Sequence, residues 1–251
     1  MLRPLVLFLL AASAASAQVN TERMRTARDS AGVTLQADAS FAYATGNTNF
    51  LIAGVGGRLD VVRRSFESFL VGRASVSRAD DVVFLNQSFA HLRFTRDLGG
   101  PLAVEAFAQA EQNAQRLLQE RFLGGAGLRL TLADSDGGRL ALGLTPMVEF
   151  ERLDAETGEP DATLVRLSHY LATRLRISEW AAVSNIVYAQ PAVGAWEDVR
   201  VLNDLTLDVE LARGVAVRTA AHVRYDSQPP PDVAKTDVEV RNGLVIALPV
   251  R

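Results

Sequence analysis

From Val33 almost to the end of the chain, apolar and polar side chains alternate with a period of two, in one segment after another. In the first, Val33, Leu35, Ala37, Ala39, Phe41 and Tyr43 point one way, while Thr34, Gln36, Asp38 and Ser40 point the other. A β-strand with one apolar and one polar face has this signature, because successive side chains leave opposite sides of the backbone. Leu140, Leu142, Leu144, Val148 and Phe150 repeat it, as do Val165, Leu167, Leu171, Leu175 and Ile177, and as do Val238, Val240, Leu244, Ile246 and Leu248. The pattern predicts about twelve strands of roughly a dozen residues, suited to crossing a bilayer at a tilt. The segment Ala181, Val183, Val187 and Ala189 is ambiguous in facing, because Ile186 breaks its polar side.

So many one-sided strands, with no helical segment left to cover them, cannot all bury their apolar faces against a second layer. The expectation is an all-β fold: a transmembrane antiparallel up-and-down β-barrel with its apolar faces toward lipid. The connections agree. Tight junctions are expected at Arg63-Arg64, Asp97–Gly100, Ala133–Gly138, Ser178-Glu179 and Arg213-Gly214. Longer, polar ones are expected in alternation with them, at Arg78–Asp81, Leu153–Ala162, Pro191–Asp198 and Ser227–Lys235, the first at Gly46-Asn47 being a short exception. Short turns at one end and longer loops at the other are the outer-membrane barrel arrangement.

If lipid meets the apolar set, the other set lines the interior, and its charges alternate in sign from strand to strand. Glu105 and Glu111 precede Arg121 and Arg129; Glu149 and Glu151 precede Arg166, Arg174 and Arg176. Later, Asp204 and Asp208 precede Arg218 and Arg224, which precede Asp237 and Glu239. These fifteen residues form a candidate lumen charge ladder, in which opposite charges across strand pairs contribute about 0.2–1 kcal/mol each. Such a ladder fills and rigidifies a narrow lumen; the alternative is a transverse field lining a pore. Neither sign dominates, which disfavours a strongly ion-selective channel.

The N-terminus sets the compartment. Arg3, the short apolar run Leu5–Ala12 and the small-x-small pattern Ala15-Ser16-Ala17 predict a cleaved secretory signal over residues 1–17. Residues 18–32 read as a polar lead-in, and 33–251 as the barrel. The formal charge of −3, about −4 once Arg3 is removed, is spread evenly, and no basic block invites nucleic acid. There is no cysteine, hence no lipid anchor on one and no disulfide.

No catalytic constellation emerges. His91, His169 and His222 are the only imidazoles. His169 faces the lipid side between Leu167 and Leu171, while Ser168 points the other way. Asp134–Gly138 reads as a Gly-rich hairpin turn, since it lacks the spaced carboxylates of a calcium loop. Gly124-Gly125-Ala126-Gly127 lies inside a strand and leads into no helix, unlike a nucleotide loop. No metal or cofactor is expected, and no enzyme activity.

Several stretches resemble the YdiY-type salt-induced outer-membrane proteins, a family of unknown function. They are Thr45–Thr48, then Glu111–Asn113 with Arg116 and Glu120–Leu128, and finally Pro229–Pro231 with Lys235–Asp237 and Asn242–Leu244. The resemblance implies a Gram-negative outer-membrane barrel, and it brings no catalytic residues. The expected partners are outer-membrane lipids and, during biogenesis, the barrel-assembly machinery and periplasmic chaperones. The expected function is structural or weakly pore-forming, with a link to salt stress implied by the resemblance. Three alternatives stay open: a porin-like channel, a lipid-modifying enzyme, and a soluble periplasmic ligand-binding barrel.

Overall fold

The computed structural model describes residues 31–80, 82–212 and 215–246. Within them the chain forms twelve strands: β1 (Gly32–Ala44), β2 (Phe50–Val62), β3 (Phe66–Ala79), β4 (Val82–Gly99), β5 (Leu102–Asn113), β6 (Leu118–Ser135), β7 (Gly138–Leu153), β8 (Ala162–Ser178), β9 (Ala181–Ala192), β10 (Ala195–Ala212), β11 (Val215–Asp226) and β12 (Thr236–Ile246). Each pairs antiparallel with the next, giving one up-and-down sheet in the order β1 to β12. The expected signal sequence, the lead-in as far as residue 30, the turn at Arg213-Gly214 and the chain beyond Ile246 lie outside the described residues.

The sheet is strongly curled. Neighbouring strands lie about 4.8 Å apart, so β4 and β8 would be separated by about 19 Å in a flat sheet. Yet the Arg93 guanidinium of β4 sits 5.8 Å from the centre of the Tyr170 ring of β8. Arg200 of β10 reaches Glu151 of β7 at 3.0 Å. One face is therefore concave, and its side chains meet across the interior. Ladder pairing among the described residues runs from β1 to β12 without joining those two strands to each other. The polar residues of β1, from Thr34 to Ser40, are exposed, so the filled part of the interior lies under β3 to β11.

Burial is inverted relative to a soluble protein. The largest fully buried side chains are Arg121, Arg166, Met147, His91, Glu149 and Thr95. Leu35 and Phe41, by contrast, are each 74% exposed. A soluble ligand-binding barrel needs its greasy set inside; here that set is outside.

Two details of the pattern differ from expectation. The expected longer loops at Arg78–Asp81 and Pro191–Asp198 are shortened by the strands: β3 runs on to Ala79, and β9 and β10 enter the second segment from both sides. β9 continues to Ala192 and β10 begins at Ala195, leaving a tight turn in which Gly194 adopts φ +88°. Longer connections stand at 154–161 and 227–235, and 114–117 holds a short 3-10 turn. Second, the interior is not uniformly polar. Ile186 and Tyr188 of β9 turn inward with Tyr170 and Leu202, which resolves the facing of that strand. Phe69, Val71 and Phe89 form another inward cluster.

Candidate functional site: a buried charge network

The inward positions of β5 to β11 bring arginines and carboxylates together. Register sets the starting point: Glu111 of β5 lies opposite Arg121 of β6, which lies opposite Glu151 of β7. Glu149, two residues before Glu151, becomes the hub. Arg121 Nε lies 2.8 Å from Glu149 Oε1, Arg166 Nε donates to Oε2 at 2.5 Å, and Arg200 Nη1 also contacts Oε1. All four side chains are buried.

The hub is extended on the far side. Arg166 donates to both carboxylate oxygens of Asp198, at 3.0 and 2.8 Å, and to the backbone carbonyl of Gln190. Arg200 donates to Glu151 at 3.2 and 3.0 Å and to Asp226 at 2.9 Å. Three guanidiniums thus face four carboxylates (Glu149, Glu151, Asp198, Asp226), a formal balance of −1. Charges held this far from water are stable only when each is paired, and here each is. Arg200 and Arg224 also lie close enough to act electrostatically on Glu111, although β11 and β5 are six strands apart.

A 3-10 turn, Ala114–Arg116, leans on β4 and β6 at this end, and Arg116 lies 3.7 Å from Glu111. Burial lowers the Arg116 guanidinium below its ordinary value, and the charge of Glu111 works against that.

Two further clusters connect to the hub. His91 lies among Phe69, Phe89 and Phe107, with ring centres 5.8–6.3 Å away. Its Nδ1 lies 3.2 Å from Gln109 Oε1, and Gln109 donates on to Glu111 at 3.4 Å. The other centres on Tyr170, whose hydroxyl donates to Glu105 at 2.6 Å and accepts from Arg129 at 2.9 Å. Arg93 adds a 3.5 Å ion pair to Glu105. Hydrogen bonds to charged groups contribute about 1.5–3 kcal/mol, so Tyr170→Phe is expected to cost about 2 kcal/mol. The urea midpoint of the folded protein in detergent measures this loss; an unchanged midpoint contradicts the role given to the hydroxyl.

The fifteen ladder residues thus fall into distinct places. Glu105, Glu111, Arg121, Arg129, Glu149 and Arg166 are buried in the network, and Glu151 joins them half-buried. Asp204 is buried against His222. Asp208 and Arg218 pair at 2.6 Å, and Arg224 and Asp237 at 3.6 Å. Glu239 is taken by Arg241. Arg174 and Arg176 are exposed, and line a cavity of about 300 Å³ beside the β8–β9 turn.

Sequence reasoning passed over Arg200, Asp198, Asp226, Arg93 and Tyr170. Arg200 and Asp198 share the parity of Asp204 and Asp208; for Asp198 that signal was hidden by reading 191–198 as a loop.

The arrangement holds charge and offers no displaceable group. Ser168 is buried and accepts from Gln190 at 3.2 Å, while His169 is on the outer face, in register with Leu144 and Ala189. Among the described residues, no group of three His, Cys, Asp or Glu could hold a metal ion.

Comparison with known proteins gives a family and a fold neighbour. The family model described as "Protein of unknown function, DUF481" matches residues 37–248. A solved structure of the NanC porin, in a rhombohedral crystal form, is similar with a TM-score of 0.49 at 6% identity, covering 86% of this chain and 99% of that one. No curated protein matches the chain.

Proposed function

This chain belongs to the family of proteins of unknown function DUF481, and on that premise we propose that it is an exported, integral outer-membrane barrel whose lumen is closed by its own buried charge network. The observation that carries the proposal is the inverted burial: guanidiniums and carboxylates inside, leucine and phenylalanine outside. Dimensions support it. On β7 the outward residues run from Leu140 to Phe150. These ten steps span about 33 Å at ~3.3 Å each, or about 25 Å across a bilayer at a tilt of ~40°. The outward charges Glu120 and Arg152 pair at 3.4 Å just beyond Phe122 and Phe150, where the apolar band gives way to the loops. Aromatic residues mark both ends: Tyr43, Phe84 and Tyr225 at the loop end, Trp180 and Phe66 at the tight-turn end. Such girdles are expected where a barrel meets the headgroups.

In hydrocarbon an unpaired strand edge is too costly, so the reading requires β1 and β12 to meet. It also takes the chain to be exported by a cleaved signal over residues 1–17, and non-enzymatic. A contribution to the envelope under salt or osmotic load is part of the same proposal. Expressed with its leader, the protein is expected in the outer-membrane fraction, with gel mobility that shifts only on boiling. In planar bilayers it should give no steady conductance. Recovery in the soluble fraction without a mobility shift overturns the membrane reading. Steady conductance favours the porin-like alternative.

A further inference from the structure

The outer face is not equally apolar all the way round. On β5 to β7 the outward residues from Leu102 to Ala110, Phe122 to Leu132 and Leu140 to Phe150 carry no polar side chain. On β8 to β12, by contrast, His169, Thr173, Asn185, Asn203, Thr219 and Asn242 all face outward, each at least four residues from its strand end. They are neighbours. Thr173 is in register with Asn185, Asn185 with Leu205, and Thr219 with Asn242. Asn203 Nδ2 donates to Asn185 Oδ1 at 2.8 Å, and Thr219 Oγ1 donates to Asn242 Oδ1 at 2.7 Å.

These contacts use only part of the hydrogen-bonding capacity. A primary amide offers two donors and an acceptor with two lone pairs, so the amide nitrogens of Asn185 and Asn242 and the amide oxygen of Asn203 keep hydrogen-bonding capacity beyond these two contacts. At mid-strand depth neither water nor a headgroup is at hand, and an unsatisfied amide in hydrocarbon is costly.

We propose that this face of β8 to β12 is the interface of a homodimer, in which two copies of the chain set their outward amides against each other. The partner is identified by chemistry. The patch is rich in amides and carries no carboxylate, lysine or arginine, so it calls for no charged partner. An amide is at once donor and acceptor, hence complementary to itself. A two-fold axis presents the same patch on both sides, and polar side chains are a recognised adhesive between membrane segments. Leu205 of β10 lies at the centre, between Asn185 in register and Asn203 two residues away, so the axis passes near it.

This inference rests on the membrane reading, and the test separates the two. The chain has no cysteine, so Leu205→Cys is a clean probe. In mild detergent and in liposomes, most of the Leu205→Cys protein is expected to form a disulfide-linked dimer on oxidation. Adding Asn185→Leu, Asn203→Leu and Asn242→Leu should lower that yield at least tenfold while the heat-dependent gel shift persists. A cysteine at Leu130, on the purely apolar side, should give no dimer. A membrane-inserted, heat-modifiable protein whose Leu205→Cys form stays monomeric overturns the dimer and leaves the barrel standing. A soluble protein with no heat shift overturns both.

Discussion

Replacing Glu149 by alanine is expected to destabilise the protein by about 3–5 kcal/mol and to open a conductive path through it. Truncating one partner of a buried ion pair carries that cost, because the other charge is left without compensation. Here the effect is concentrated, since Arg121, Arg166 and Arg200 all converge on this carboxylate. Without it, three guanidiniums face one another in the interior. Asp198 still holds Arg166, and Asp226 and Glu151 still hold Arg200, but no described acidic group touches Arg121 more closely than Glu151, at 3.7 Å. Water should enter to hydrate the exposed guanidiniums, and planar-bilayer recording should show a conductance absent from the unmodified protein. Glu149→Gln keeps the shape and the acceptor oxygen while removing the charge, and should fall between the two. A silent bilayer together with an unchanged urea midpoint for Glu149→Ala means that the interior is closed elsewhere.

The second large effect is expected at Gly127. Strand β7 contains Pro146, which lacks an N–H and interrupts the ladder to β6 between the pairs Gly125–Met147 and Leu128–Leu144. There the two backbones approach closely. A Cβ on Gly127 would lie 2.1 Å from the Leu144 carbonyl oxygen and 2.6 Å from the Thr145 Cα. Both are backbone atoms, so no rotamer change relieves the clash, and β6 must move away from β7. Overpacking costs about 1–3 kcal/mol and more where the backbone must shift, so Gly127→Val is expected at or above the upper end, about 3 kcal/mol. Gly124, three residues earlier, faces outward with nothing within 4 Å of a Cβ. Gly124→Val should therefore leave refolding yield and urea midpoint unchanged. Equal behaviour of the two variants contradicts the close approach.

Most of the architecture was legible because the period of two is a local property. Leu140, Leu142, Leu144 and Val148 declare their strand and its outward face without reference to any other segment. The alternation of charge sign between neighbouring strands was legible for the same reason, and register then sets Glu111 opposite Arg121 and Asp208 opposite Arg218. The hub was not. Arg200 and Glu149 are 51 residues apart and come together only because the sheet curls, a property no single strand records. Two inward apolar residues were hidden for a related reason. Phe69 and Val71 break a polar-inside rule that holds strand by strand, as Ile186 visibly does, and they do so where the concave face must be filled by facing side chains. Parity placed Arg174 and Arg176 on the inner face but carries no information about depth, and both stand near the end of β8, exposed. The loop at Pro191–Asp198 was misplaced because Pro and Gly mark turns well and strand ends poorly; β10 accommodates the difference through an irregularity between Ala195 and Val199.

The central claim is that alternate residues of each strand face lipid and a polar interior. Single cysteines at Leu35, Gln36, Ala37 and Asp38 of β1, where neither face is packed, can each carry a small fluorophore in liposomes containing brominated lipid. Strong quenching at 35 and 37 with weak quenching at 36 and 38 is the predicted result. Quenching that is uniform along the four positions, or strongest at 36 and 38, contradicts the account.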